Sequence, residues 1–418
     1  VTTRRWGSSP LGEYDQQVSE EQSMAGHGPP TGALYLHIPY CERKCEYCDF
    51  VSVAGARGQH EYVAALRAEL RALGTALAGS TLTTIFCGGG TPGLLDLQLM
   101  AGVMDEVRAS FRVAPGAEVT LEVNPSSSSE RRASAWLAAG FNRVSVGVQS
   151  TQPDVLAFLG RVHDADRALG ALAEVRAAGF ANVSADVIYA VPGLDDPRWL
   201  ETLHAVIAAA PDHVSAYELT VETGTPLHRA VAAGRVHVVD PGNALRQHRL
   251  AVGTLADAGY TQYEVSNFAL PGRECRHNLV YWRNEHYAAA GVGAHGHMPV
   301  AVAPIFGLSP PPGALAFRYE HGRDVAAYVR SRRGTPLAVS NVEWVGETER
   351  VEESIMLGLR LHEGVTIGHP GAIAEAHALA GAGFLELESA EGVTRARVTS
   401  RGEDVLNQVA LRLAAHTA

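Results

Sequence analysis

From residue 33 onward, short β-branched or apolar runs alternate with amphipathic stretches. The runs cover 33–38, 84–88, 118–124, 143–149, 182–189 and 213–219, spaced roughly thirty to fifty residues apart as in strand–helix units. The clearest helix is predicted over 61–77, where Val63, Leu66, Leu70, Leu73 and Leu77 recur at three- and four-residue steps. Six such units with right-handed connections predict an α/β fold, an incomplete (β/α)6 barrel carrying its functional residues at the carboxyl ends of the strands.

The alternation stops after Thr225-Pro226, where Gly/Pro-rich loops, an aromatic cluster near Tyr281 and a proline run at 310–312 take over. Helical periodicity around 352–361 and 402–413, with a hairpin near 385–398, predicts a small C-terminal helical or winged-helix-like domain. The expected organisation is a poorly ordered tail over 1–30, a core over 31–225, an extension over 226–344 and a small domain over 345–418.

Composition narrows the function classes. A net charge of −11 gives nucleic acid no electrostatic support, and no apolar run is long enough to cross a membrane. The first thirty residues are polar and lack a signal-peptide pattern, so a cytoplasmic protein without stable membrane insertion is expected. Ala and Arg abound while Lys is almost absent, a coding bias that discounts Ala- or Arg-rich windows. Five cysteines, an odd number in a long chain, favour reduced thiols with metal or redox work over a disulfide framework.

Three of the five lie within eight residues, directly after the first predicted strand. Cys41, Cys45 and Cys48 follow a C-x3-C-x2-C spacing, which lets three thiolates face a small metal assembly and leaves one metal without a protein ligand. The rival is structural zinc, with His37 and His60 nearby, although structural zinc normally uses tighter spacings and a closed tetrahedron. After the second strand, Gly88, Gly89, Gly90 and Thr91 form a run that lets backbone approach a ligand or simply makes a turn. Glu122, Gln149 and Asp186 then recur in or at the ends of apolar strands, where a carboxylate needs either a polar ligand or a buried partner. Arg161 offers a planar fork suited to a carboxylate, or is an exposed arginine after a helix.

Together these motifs resemble the radical S-adenosylmethionine (SAM) superfamily, whose cysteine loop follows strand one and holds a [4Fe–4S] cluster. The resemblance spans roughly residues 33 to 300. It implies a cluster on Cys41, Cys45 and Cys48, and SAM contacts from Tyr35, Tyr47, Gly88, Gly89, Gly90, Thr91, Glu122, Gln149, Arg161 and Asp186. Ala190 replaces a glycine common in the porphyrin-related branch of these proteins.

Within the superfamily the chain is similar to the oxygen-independent coproporphyrinogen III oxidase group and its haem-chaperone branch. Two features separate the branches. The oxidase has a fourth cysteine where this chain has Phe50, and a longer N-terminal region than the forty residues before Cys41. The H-N-x-x-Y-W motif of the chaperone branch matches His277, Asn278, Tyr281 and Trp282, which implies a haem site with His277 towards iron and the aromatics against the porphyrin. His295 and Cys275 are alternative iron ligands. The implied cofactors are a [4Fe–4S] cluster, SAM and haem; the implied partners are a haem-accepting apoprotein and an electron donor. The competing implication is oxidative decarboxylation of coproporphyrinogen III.

Overall fold

The computed structural model describes residues 32–390 and 392–417; the tail expected over 1–30 lies outside the described residues. Strand β1 (Ala33–Ile38) runs into a long loop whose two ends are tied by a pair of two-residue parallel strands, β2 (Tyr40–Cys41) and β3 (Val53–Ala54). Five further strands, β4 (Thr81–Gly89), β5 (Arg112–Val123), β6 (Arg143–Gln149), β7 (Asn182–Tyr189) and β8 (His213–Glu218), alternate with helices. The six strand–helix units read from the hydrophobic pattern are thus present.

The period-2 pattern fixes which face of this sheet meets the helices. On β6, Val144, Val146 and Val148 are fully buried against the helical layer, while Arg143, Ser145, Gly147 and Gln149 turn to the inner face. The same parity holds on β5, with Val119 and Leu121 outward and Glu122 inward, and on β7, with Val183, Ala185 and Val187 outward and Asp186 inward. Helix Gln59–Ala76 covers β1 with Tyr62, Leu66, Leu70 and Leu73. Each such aliphatic side chain contributes about 1.5–3 kcal/mol on leaving water, so the outer layer holds the sheet and the inner face is free to be polar.

The sheet does not end where the sequence alternation ends. Beyond residue 225, β9 (Thr261–Glu264), β10 (Asn267–Ala269) and β11 (Ala288–Ala290) complete nine strands in the order β11-β1-β4-β5-β6-β7-β8-β10-β9. Strand β11 joins β1 in parallel, with Leu34 opposite Ala288, whereas β10 and β9 add antiparallel at the other edge. Three alanines carry no strand propensity. Pairing with β1 and a hydrogen bond from the Tyr319 hydroxyl to the Ala289 carbonyl (2.9 Å) make them a strand.

A separate antiparallel sheet follows, β12 (His295–Pro299), β13 (Ala316–Glu320) and β14 (Asn341–Val345). The C-terminal part has its own core, in which Ile355, Leu359, Leu379, Val409 and Leu413 pack helices against β15 (Val365–Ile367), β16 (Leu385–Ala390) and β17 (Val393–Val398). Strands β16 and β17 form the hairpin expected near 385–398.

Candidate functional site

The inner face of the sheet and the loop after β1 enclose a cavity of about 790 Å³. Cys41, Cys45 and Cys48 all line it. Their loop is short of regular structure, so its shape depends on ties at its ends. Val53 N–H donates to the Pro39 carbonyl (2.7 Å) and Gly55 N–H to the Cys41 carbonyl (2.8 Å). His37 reaches the far end of the loop through Nε2 and the Val51 carbonyl (2.7 Å), while its Nδ1 meets the Tyr35 hydroxyl (3.1 Å). With both ring nitrogens engaged, His37 is a strut for the loop rather than a fourth metal ligand, and burial pushes it down to about 4.

All three cysteines are free thiols; Cys41 is buried and the other two are half-buried. Among the described residues, no three His, Cys, Asp or Glu side chains are placed to share one metal ion. Three thiols spread along one cavity wall suit an assembly of several irons, with Arg161 Nη1 donating towards Cys45 Sγ (3.5 Å) and the Thr91 hydroxyl towards Cys41 Sγ (3.6 Å).

The strand ends build the rest of the wall. Tyr35, Tyr47, Gly89, Gly90, Thr91, Glu122, Gln149, Arg161 and Asp186 all line the cavity with the cysteines, whereas Gly88 does not. The glycine run is demanded largely by packing. Gly89 has φ +111°, and a Cβ there would lie 2.4 Å from the His37 ring; one on Gly90 would lie 2.8 Å from Pro39 backbone. Gln149 sits at φ +65° and Ala190 at φ +56°, the left-handed region that costs an L-residue about 1–2 kcal/mol. Backbone strain therefore stands at the strand ends where the inner face meets the cavity.

Two carboxyls face this space from neighbouring levels. Burial, and then the Asp186 carboxylate, push Glu122 up to about 8, against a hydrogen bond from Gly89 N–H (3.1 Å). Burial also raises Asp186, opposed by hydroxyl donors such as Ser145 (2.8 Å). Such a pair is poised to respond to a cationic ligand. Sequence reasoning missed Asn124, which ties the two halves of the wall: its Nδ2 donates to Thr91 Oγ1 (2.9 Å) and its Oδ1 accepts from Arg161 (2.6 Å). The inward parity of β5, which Asn124 continues two residues past Glu122, is the signal that could have found it. Arg143, Ser145, Ser215 and Tyr217 were missed for the same reason.

The aromatic motif is divided by the structure. Helix Arg276–Trp282 docks across the lower part of the barrel because Glu118, on β5, accepts hydrogen bonds from the N–H groups of Arg276 (3.1 Å) and His277 (3.0 Å) at its start. Asn278 and Tyr281, three residues apart, face the cavity. His277 and Trp282, expected to share that face, do not. His277 is fully buried, stacked on Phe86, with Nδ1 at 2.9 Å from the Thr84 hydroxyl and Nε2 at 2.9 Å from the Tyr281 hydroxyl. Burial, and then the charge of Arg143, push it down to about 3. Trp282 lies instead under the Arg360 guanidinium. Of the alternative ligands, Cys275 is buried beside Glu118 and His295 is exposed near Glu320; neither lines the cavity.

Comparison with known proteins agrees with this geometry. Residues 35–206 match the radical SAM superfamily model. The chain is 38% identical over 349 residues to "Heme chaperone HemW" of Mycobacterium tuberculosis, covering 82% of this chain and 85% of that one. It is 35% identical to the protein of the same name in Escherichia coli, with 78% and 88% covered. It is also 36% identical to "Radical S-adenosyl methionine domain-containing protein 1, mitochondrial" of Bos taurus, with 82% and 76% covered. The structure of the coproporphyrinogen III oxidase HemN from Escherichia coli superposes with a TM-score of 0.76 at 19% identity, over 93% of this chain and 91% of that one, which establishes the shared fold. The chain therefore belongs to the radical SAM superfamily, whose cofactors are a [4Fe–4S] cluster and SAM, and within it to the family of the proteins named heme chaperone HemW.

Proposed function

We propose that this protein binds haem and passes it to an acceptor apoprotein, carrying a [4Fe–4S] cluster on Cys41, Cys45 and Cys48. The observation that carries the reading is that one cavity joins the three thiols to Asn278 and Tyr281 of the aromatic motif. When bound, the cluster supplies one-electron chemistry, for which an electron donor is needed. The chain's own residues do the rest. Arg161 and Thr91 donate towards the sulfurs, and Tyr35, Tyr47, Gly89, Gly90, Thr91, Glu122, Gln149, Arg161 and Asp186 form the wall that would hold SAM. Asn278 and Tyr281 present polar and aromatic surface to haem, with His277 bracing Tyr281 from behind. The region 226–344 would thus handle haem and 345–418 form a small docked domain. Free thiols suit the cytoplasm.

Phe50, 66% exposed at the cavity edge, stands where the oxidase has its fourth cysteine. The test is anaerobic. Reconstituted protein given coproporphyrinogen III, SAM and a reductant is expected to make no protoporphyrinogen, while haem added to it develops a saturable Soret band. Protoporphyrinogen formed in turnover would replace this reading with that of a coproporphyrinogen III oxidase.

A further inference from the structure

Arg143 opens β6 on the inner face and lines the cavity, yet only 2% of it is exposed to solvent. Among the described residues its Nε has no hydrogen-bond partner, and no carboxylate forms an ion pair with its guanidinium. Charge taken from water is normally repaid by a counter-charge and hydrogen bonds; around Arg143 the carboxylates of Glu118 and Asp186 supply counter-charge without an ion-pair contact, and the hydrogen bonds of the fork remain to be made. Arg332 shows the usual solution. It is equally buried and its Nε is likewise unpartnered, but its terminal nitrogens pair with Glu69 (3.0 Å) and donate to the Ala338 carbonyl (2.9 Å), and the fork lies over the Tyr328 ring.

The polar groups beside Arg143 are also unpartnered. Its register neighbours on β5 and β7 are Thr120 and Asn182, and Thr120 Oγ1 and Asn182 Oδ1 are likewise buried without partners. A hydroxyl can turn its proton towards an anion, whereas the Asn182 oxygen is an acceptor and leaves the fork of Arg143 as the principal donor. One level up stand Ser145 and Glu122, and two levels up Asp186 and Ser215. The nearest fixed acid, Glu118, is already engaged by the amides of helix Arg276–Trp282 and is not in ion-pair contact with Arg143.

We infer that Arg143 is the anchor for a carboxylate of the ligand that enters this cavity. On the haem-binding reading, on which this inference rests, that carboxylate is one of the two propionates of the porphyrin. The opposite end of the cavity is the cysteine loop, so an anchor deep on the inner face would set how far the macrocycle enters and which face it turns to the cluster. Asn278 and Tyr281 line the same cavity.

The test is a cycle in which both partners are altered. Haem and haem dimethyl ester, whose propionates are neutral, are titrated into the reconstituted wild-type protein and into Arg143→Gln, with the Soret band as readout. Wild-type protein is expected to prefer haem to the ester by about tenfold or more, the scale of one charge-assisted hydrogen bond. Arg143→Gln is expected to bind haem about tenfold more weakly and to lose the preference. Equal affinity of wild-type protein for haem and ester overturns the inference, as does an undiminished preference in the variant. Absence of haem binding by wild-type protein instead overturns the proposed function. The ester comparison on wild-type protein stands even if the variant fails to fold.

Discussion

The cysteine loop and helix Arg276–Trp282 are both dense in polar and aromatic residues, and each reads as a ligand-binding motif. They differ in what their side chains have left to give. In the loop, backbone hydrogen bonding is spent at the ends, by Pro39, Cys41 and Val51 carbonyls, and the three thiols stay on the cavity wall, with donors from Arg161 and Thr91 turned towards two of them. In the helix, both nitrogens of His277 and its N-terminal amides are already satisfied, and only Asn278 and Tyr281 are turned to the cavity. A motif therefore marks where chemistry-bearing residues gather, while satisfaction by neighbours decides which of them can meet a ligand.

The largest effect is expected on the loop side. Cys45→Ser should abolish the visible absorption and reduce the iron and sulfide content of reconstituted protein, with the fold retained by circular dichroism. A variant that still assembled a full cluster would remove Cys45 from the ligand set.

Next comes the wall between the two regions. Glu122 has a folded-state pKa raised to about 8 by burial and Asp186, above the ordinary carboxyl range. Its folded form keeps a proton that the unfolded chain has released, so its contribution to stability declines as pH rises from about 4.5 to about 8 and is level beyond. Urea unfolding of cofactor-free protein should lose up to about 1.4 kcal/mol per pH unit from this group across that window. Glu122→Gln should remove that slope and be the more stable protein at pH 8. An identical pH slope in the two would show that Glu122 ionises normally.

The helix side should respond through stability. His277→Ala deletes a buried ring and leaves the Thr84 and Tyr281 hydroxyls without their partner, a loss of about 2–4 kcal/mol. The Soret maximum of bound haem should stay in place. A displaced maximum with intact folding would make His277 an iron ligand and undo the contrast between the two regions.

The smallest effect concerns strain. Gln149→Gly relaxes a backbone at φ +65°, worth about 1 kcal/mol before the greater chain entropy of glycine is subtracted. Thermal stability should change little, whereas SAM affinity measured by calorimetry should fall with the loss of the side chain. Unchanged affinity would take Gln149 out of the wall's binding role.

The alternation of apolar runs and amphipathic stretches by itself determined the six strand–helix units, because each outer strand face must be buried by a helix and that demand is written in every second residue. It determined the C-x3-C-x2-C loop too, since spacing along one short loop is a local property. What lies across the chain was decided by tertiary structure. Ala288–Ala290 became a strand only through its pairing with β1. Asn124 became a hub only where Thr91 and Arg161 converge on it. His277 was withdrawn from the cavity by Thr84, 193 residues away in the chain. Arg143 was left without a hydrogen-bond partner at Nε at a depth no composition reveals. A sequence records which groups can donate and accept, but only the folded chain shows which have been paired, because pairing depends on distance between residues far apart in sequence.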